Sequence, residues 1–304
     1  MSELPPPPAS RALGTSDIAI SPIAWGMWRL ADGGRSVPDA ATLVQAALDA
    51  GITLFDTADI YGFDGTSGFG DAELLLGEVL AADPGLRGRM VLATKGGIMP
   101  PLPYDQSREY LSAALDRSLA RLKTDTVDLY QIHRPDLLAH PQEIARTLED
   151  AVAAGKVRAL GVSNFTIQQI DALAHFLGQP LVSTQPEISP LRIDCFENGE
   201  LDQAMRMGMT SFAWSPLGGG RLLSPKGAHD IAVATELDRI AAEQGVSRSV
   251  AAYGWLMAHP AGIVPIVGSQ NAERIAEATQ ALAMRWTRQD WYAVLVAARG
   301  APMP

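Results

Sequence analysis

The chain has 304 residues, 47% hydrophobic and 19% charged, enough apolar material for either two ordinary domains or one α/β barrel of roughly 250 residues. A formal net charge of −10 with no Lys/Arg cluster excludes the basic face of a nucleic-acid binder, and no apolar stretch reaches the roughly 18 residues of a membrane helix. The single cysteine, Cys195, excludes an intrachain disulfide and suits a reducing compartment, so a cytoplasmic chain with Cys195 as a small, inert residue is expected.

The opening "MSELPPPPASRALG" lacks the basic and apolar regions of a secretory signal, and residues 1–10 read as a stiff, disordered proline-rich tail. "IAISPIAWGM" is an apolar, β-branched run that predicts a first strand, and "DAATLVQAALDAG" places Leu43, Val44, Ala47 and Leu48 on one helical face before Gly51. "ITLFDTA" predicts a second strand, followed by "DAELLLGEVLAA" with a stripe through Leu74, Leu75 and Val79. "RMVLATK" predicts a third strand, and the helix from Ser107 to Leu122 aligns Leu111, Leu115, Leu119 and Leu122. "VDLYQIH" and a helix from Gln142 to Ala154, ended by Gly155, make the fourth unit. "KVRALGV" and a helix opened by a capping box of Thr166 and Gln169 make the fifth.

"LVSTQ", "MTSFAW" and "GIVPIVG" predict strands six to eight, with helices near Glu200 to Met207, Ile231 to Glu243 and Ala272 to Leu282. "VSRSVAAYGWLMAHP" reads as an extra helix before strand eight, and "TRQDWYAVLVAARG" as one that closes the chain. Eight strands alternating with helices predict a parallel sheet closed as a (β/α)8 TIM barrel, a single domain over residues 11–304.

The active site of such a barrel lies at the carboxyl ends of its strands. There the sequence places Asp56 after "ITLF", Lys95 after "MVLAT" and His133 after "VDLYQI", with Tyr61 on the loop just beyond Asp56. A free tyrosine has a pKa of about 10, and a nearby ammonium favours its phenolate, so Lys95 is expected to make Tyr61 more acidic. Asp56 would keep Lys95 charged and oriented, and His133 would hydrogen-bond at the reacting oxygen. The set suits protonation of a carbonyl oxygen while hydride reaches its carbon. Taken singly, Asp56 serves equally well as a turn cap, Lys95 as a solvated strand end, and Tyr61 or His133 as packing residues. Their coincidence at three successive strand ends and the adjoining loop is what points to catalysis.

The second half offers a binding surface. Ser163 and Asn164 end strand five and Gln185 ends strand six, supplying hydroxyl and amide groups able to grip a carboxamide, and Trp214 ends strand seven with a flat face. "SPLGGGRL" brings glycines that admit phosphates, with Arg221 beside them, and "VGSQNAERIAEA" sets Ser269 and Gln270 at a helix start with Arg274 one turn in. Trp28 and Trp214 suggest an apolar wall, and Arg134, following His133, is expected to pair with Asp136 in preference to meeting a polar substrate.

"FDTADIYG", "ATKGG", "LYQIHRPD", "GKVRALGVSNF", "QPEISP", "AWSPLGGGRL" and "IVGSQNAERIAEA" stand in the order of the aldo-keto reductase superfamily, which the chain resembles over nearly its whole length, most of all a bacterial oxidoreductase branch. The resemblance implies an NADPH-binding cleft, NADH being the alternative, and a catalytic tetrad at Asp56, Tyr61, Lys95 and His133 with the tyrosine as general acid. It implies that Ser163, Asn164 and Gln185 hold the nicotinamide carboxamide and that Trp214 stacks on the ring. Further cofactor positions fall on Gly26, Met27 and Trp28, on Ser215, Leu217, Gly219 and Arg221, and on Gly268, Ser269, Gln270, Arg274 and Glu277. Many members carry a basic residue at the positions of Gly268 or Gln270 and an asparagine at that of Ala278; this chain has neither, which weakens the expected preference for NADPH.

The implied activity is reduction of an aldehyde or ketone to an alcohol, with a small carbonyl compound as partner, no nucleic acid, no membrane and no metal. The alternative is a non-catalytic, cofactor-sensing subunit of the same superfamily. A Schiff-base lysine at position 95 would want an apolar pocket, and Asp56, Tyr61 and His133 surround it with polar groups. His133, His140, His175, His229 and His259 contain no close ligand pair for a metal-dependent hydrolase.

Overall fold

The structure, a computed structural model, describes residues 3–303. A short antiparallel hairpin, β1 (Arg11–Ala12) and β2 (Ala19–Ile20), precedes the barrel. Eight parallel strands then close on themselves: β3 (Ala24–Gly26), β4 (Leu54–Asp56), β5 (Val91–Gly96), β6 (Val127–Ile132), β7 (Val157–Ser163), β8 (Leu181–Gln185), β9 (Thr210–Ala213) and β10 (Val264–Val267). Strand β10 pairs with both β3 and β9, so no barrel edge is left open. The expected first strand is in fact two: the hairpin strand β2 and barrel strand β3 are separated at Ser21–Pro22, where the Ser21 side chain takes the Thr53 amide.

The hairpin seals one end of the barrel. Leu13, Ile18 and Ile20 join Leu54, Leu129, Val182, Phe212 and Val264 in an inner apolar cluster. Gly14, at φ +56°, lies so close to the Val182 carbonyl that a β-carbon there would sit 2.3 Å from its oxygen, which only glycine permits. The proline-rich tail expected to be disordered is tied down in part: the Leu4 amide donates to the Trp286 carbonyl at 2.7 Å and Leu4 packs on the core, whereas Met1 and Ser2 lie outside the described residues.

Outside the strands lie α1 (Val37–Asp49), α2 (Asp71–Ala82), α3 (Arg108–Leu122), α4 (Pro141–Ala153), α5 (Ile167–Phe176), α6 (Glu200–Met207), α7 (Ala228–Gln244), α8 (Arg248–Met257), α9 (Ala272–Ala278) and α10 (Arg288–Arg299). The capping box of Thr166 and Gln169 opens α5 as its residues dictate. The leucine stripe of α3 is buried as expected, but that of α2 is rotated: Ala72, Glu73, Leu76 and Leu80 face inward with Val79, and Leu74 is exposed. The reason is polar. Glu73 is fully buried because Arg121 forks its Oε2 at 2.8 and 2.6 Å and the Thr94 hydroxyl donates to Oε1 at 2.5 Å.

A second correction concerns the last turn of the barrel. Helix α8, read as the extra one, is buried along Val250–Met257 and packs on β10, while α7 lies outside it against α8 and α10. No helix among the described residues is long and apolar enough to cross a membrane.

Candidate active site

Strand ends deliver the four expected residues to one place. Asp56 closes β4, Lys95 stands in β5, His133 follows β6, and Tyr61 returns on the β4–α2 loop. The Lys95 ammonium, with no solvent exposure, donates to Asp56 Oδ2 at 2.7 Å, to the Thr57 carbonyl at 2.8 Å and to the Tyr61 hydroxyl at 3.1 Å. All three ammonium protons thus have acceptors, which is what a buried lysine requires. Burial presses the Lys95 pKa down, but the Asp56 charge and the Tyr61 hydroxyl lift it to a net value above the ordinary lysine range, so it stays charged.

Tyr61 departs from the expected acidity. Its ring is partly exposed, but burial of the hydroxyl outweighs the opposing Lys95 charge and raises the phenol above its usual range. The proton is therefore retained at neutral pH, and Lys95 limits the rise without reversing it. His133 lies edge-on to Tyr61 with ring centroids 5.8 Å apart. Burial first, then the Lys95 and Arg134 charges, hold its pKa well below the usual histidine value, so it is a neutral imidazole at pH 7.

The amide-bearing residues are knitted together. Gln185 Nε2 donates to Asp56 Oδ1 at 3.0 Å, so this side chain, expected to face a ligand with Ser163 and Asn164, holds the acid of the tetrad. Ser163 Oγ donates to the Gln185 carbonyl at 2.8 Å; Asn164 Nδ2 donates to Ser163 Oγ at 2.8 Å and to the His133 carbonyl at 3.2 Å. Trp214 Nε1 donates to Asn164 Oδ1 at 2.9 Å, which fixes the half-buried indole at the cleft. Asn164 and Ser215, both non-glycine residues at φ +60° and +50°, bend the chain where β7 and β9 end, the kind of local cost that persists at functional sites.

Around this centre stand Gly26, at the end of β3, and Met27, whose amide donates to the Asp56 carbonyl at 2.9 Å. Trp28 is 63% exposed and stacks on Tyr61 at 6.2 Å with planes 18° apart. Leu217 precedes a 3-10 turn over Gly218–Leu223 in which Gly219 and Gly220 have open space where a β-carbon would stand. Arg221, expected to face phosphates, is instead committed to a two-pronged ion pair with Asp230 on α7.

At the β10 end, Gly268 is exposed with open space beside it, the Ser269 carbonyl accepts the Trp25 indole N–H at 3.0 Å, and Gln270 Nε2 donates to the Gly26 carbonyl at 3.2 Å. The helix cap is Asn271, whose side chain accepts the Arg274 amide at 3.0 Å, so Ser269 and Gln270 lie ahead of the helix and not in it. Arg274 is exposed and Glu277 half-buried.

Two features escaped the sequence. The predicted Arg134–Asp136 ion pair does not form: Asp136 is taken by the amides of Gln106 and Leu138, and Arg134 lies 5.9 Å over the Trp214 ring. Asp59, inside "FDTADIYG", is 1% exposed, and neither carboxyl oxygen has a hydrogen-bond partner; the buried Tyr130 hydroxyl beside it has none either. Burial, aided by the Glu73 charge, raises the Asp59 pKa well above the carboxylate range.

The folded chain then keeps a proton on Asp59 at a pH where the unfolded chain, with a pKa of about 3.9, has lost it. Stability is fully present below about pH 4 and falls as pH rises, by up to about 1.4 kcal/mol per pH unit, until the folded group ionises. Asp59→Asn, neutral throughout, should melt above wild type at pH 7, the gap closing below about pH 4. Equal melting temperatures at every pH would mean that Asp59 is an ordinary solvated or paired carboxylate.

The sequence of residues 22–295 matches the model of the aldo/keto reductase family. The chain belongs to that family. As an aldo-keto reductase it is an NAD(P)H-dependent oxidoreductase. It is 74% identical over 304 residues, covering 100% of both chains, to a 6-dehydroglucose reductase of Novosphingobium aromaticivorans. A 6-dehydroglucose reductase of Agrobacterium fabrum is 40% identical over 93% of this chain and 96% of its own. Among solved structures, a thermostable aldo-keto reductase, Tm1743, in complex with the inhibitor epalrestat, superposes with a TM-score of 0.82 at 26% identity, covering 95% of this chain and 99% of that one.

Proposed function

We propose that this aldo-keto reductase reduces the terminal aldehyde of a sugar, 6-dehydroglucose being the first candidate, with NADPH as reductant and Tyr61 as general acid. The observation that carries the reading is the desolvated Lys95–Tyr61 hydrogen bond beside a neutral His133. A phenol that keeps its proton at neutral pH, next to a permanent cation, is a donor that the cation stabilises only once the proton has left. His133, uncharged, orients a carbonyl oxygen without competing for that proton.

The residues present fit a dinucleotide. Gly268, Gly219 and Gly220 leave open space for close approach, and Trp214 presents a braced flat face. NADPH, when bound, supplies the hydride. Ser163, Asn164 and Gln185 would hold its carboxamide, Trp214 its nicotinamide ring, Ser215, Leu217 and Gly219 its diphosphate, and Ser269 with Arg274 its 2′-phosphate. Gly26, Met27, Gln270 and Glu277 would shape the remainder of the cleft. Arg221, occupied by Asp230, would act by bracing the glycine turn.

Two features support a sugar. Two of the relatives above bear the name 6-dehydroglucose reductase. Trp28, exposed and parallel to Tyr61, offers the flat apolar surface against which the C–H face of a pyranose packs. Loss of NADPH absorbance across a panel of aldehydes and ketones tests the reading, with 6-dehydroglucose expected to be turned over fastest. Binding of NADPH with no turnover of any carbonyl would favour a cofactor-sensing role.

Arg274 should decide between the two nicotinamide cofactors, because neither Gly268 nor Gln270 supplies a second cation. One charged hydrogen bond to phosphate is worth about 1.5–3 kcal/mol, or roughly ten- to a hundredfold in affinity. Titration of Arg274→Ala should show NADPH weakened by that factor and NADH nearly unchanged; equal losses would place Arg274 outside any 2′-phosphate contact.

A further inference from the structure

Arg134 is a half-buried cation at the cleft for which the described residues provide no counter-ion. Its carbonyl is held by Gln106 Nε2, and the preceding carbonyl, that of His133, accepts Asn164 Nδ2 at 3.2 Å, so the backbone that carries it is pinned from two sides. Its guanidinium lies over Trp214 at 5.9 Å, and it directly follows His133 in the chain, which places it at the cleft next to the candidate centre. Asp136, two residues on, cannot neutralise it because the Gln106 amide binds Oδ2 at 3.1 Å and the Leu138 amide binds Oδ1 at 2.9 Å. Among the described residues Arg134 makes no ion pair and no side-chain hydrogen bond.

A guanidinium presents a rigid planar fork of donors and accepts nothing. Held half-buried beside a carbonyl-reducing centre, it favours ligands whose oxygens lie one and two carbons from the reacting carbon, and gives nothing to a hydrocarbon chain in the same place. We infer that Arg134 selects oxygenated aldehydes, its guanidinium donating to the oxygens on the first and second carbons beyond the carbonyl. This rests on the reductase reading above and names the specificity of that site. In the aldehyde form of a sugar at C6 those oxygens are the ring oxygen on C5 and the hydroxyl on C4.

The test compares glyceraldehyde with propanal, its counterpart lacking both hydroxyls, in wild type, Arg134→Met and Arg134→Lys. The inference requires the ratio of kcat/KM for glyceraldehyde over propanal to fall about ten- to a hundredfold in Arg134→Met, the worth of one charged hydrogen bond, mainly through KM. Arg134→Lys should recover part of it, and melting temperature and NADPH affinity should hold. An unchanged ratio overturns the inference while leaving the reductase reading in place. A larger loss for succinic semialdehyde than for glyceraldehyde overturns it in favour of carboxylate recognition. No reduction of either aldehyde by wild type overturns the inference, and overturns the reductase reading as well if 6-dehydroglucose is also left unreduced.

Discussion

Tyr61→Phe is expected to cut carbonyl reduction by about 10² to 10⁴, the range for loss of a positioned general acid, with NADPH affinity and stability almost unchanged. The substitution removes one oxygen. Lys95 keeps two of its three acceptors, Asp56 Oδ2 at 2.7 Å and the Thr57 carbonyl at 2.8 Å, and the aromatic ring still stacks on Trp28. A variant that kept most of its kcat would move the acid elsewhere. The pH profile gives a second check: with the Tyr61 phenol raised by burial and His133 neutral, the reduction rate should stay flat from about pH 7 to about pH 10 and fall only beyond, as the phenol ionises.

Lys95→Met should be worse, because it fails twice. Without the ammonium the main offset to burial of the Tyr61 hydroxyl is gone, and turnover should drop at least about a hundredfold at every pH. The change also leaves Asp56, 3% exposed, with only the Gln185 amide against its carboxylate. Removing one partner of a buried ion pair costs about 3–5 kcal/mol. Stability and catalysis separate in the double variant Asp56→Asn/Lys95→Met: neutralising the orphaned acid should restore much of the melting temperature while turnover stays lost. Recovery of activity in the double variant would show that Lys95 matters only for folding.

Periodicity and strand-end chemistry carried the barrel, its strand order and the four catalytic candidates, because strand ends are where this architecture gathers function. What sequence left obscure was pairwise. The apolar face of α2 was misplaced because its leucines outnumber the signal of Glu73, whose burial depends on Arg121, 48 residues away, and on Thr94. Nothing local shows that the Gln185 Nε2 reaches Asp56 across 129 residues of chain, which leaves its side-chain carbonyl oxygen for a ligand. Arg134 and Asp136 looked like a pair by proximity alone, and backbone amides decided otherwise. The acidity of Tyr61 was misjudged in sign, since burial, the larger effect here, is invisible until neighbours are placed.

The central claim is that one buried lysine–tyrosine pair protonates an aldehyde oxygen while hydride reaches its carbon. It is tested most directly by incubating the protein with 6-dehydroglucose and NADPH labelled with deuterium at the transferable C4 position, and by following label and cofactor together. The account predicts glucose with a single deuterium at C6, formed one for one with NADP by wild type and at least about a hundredfold slower by Tyr61→Phe. Bound NADPH that retains its deuterium, or equal rates in the two proteins, would contradict it.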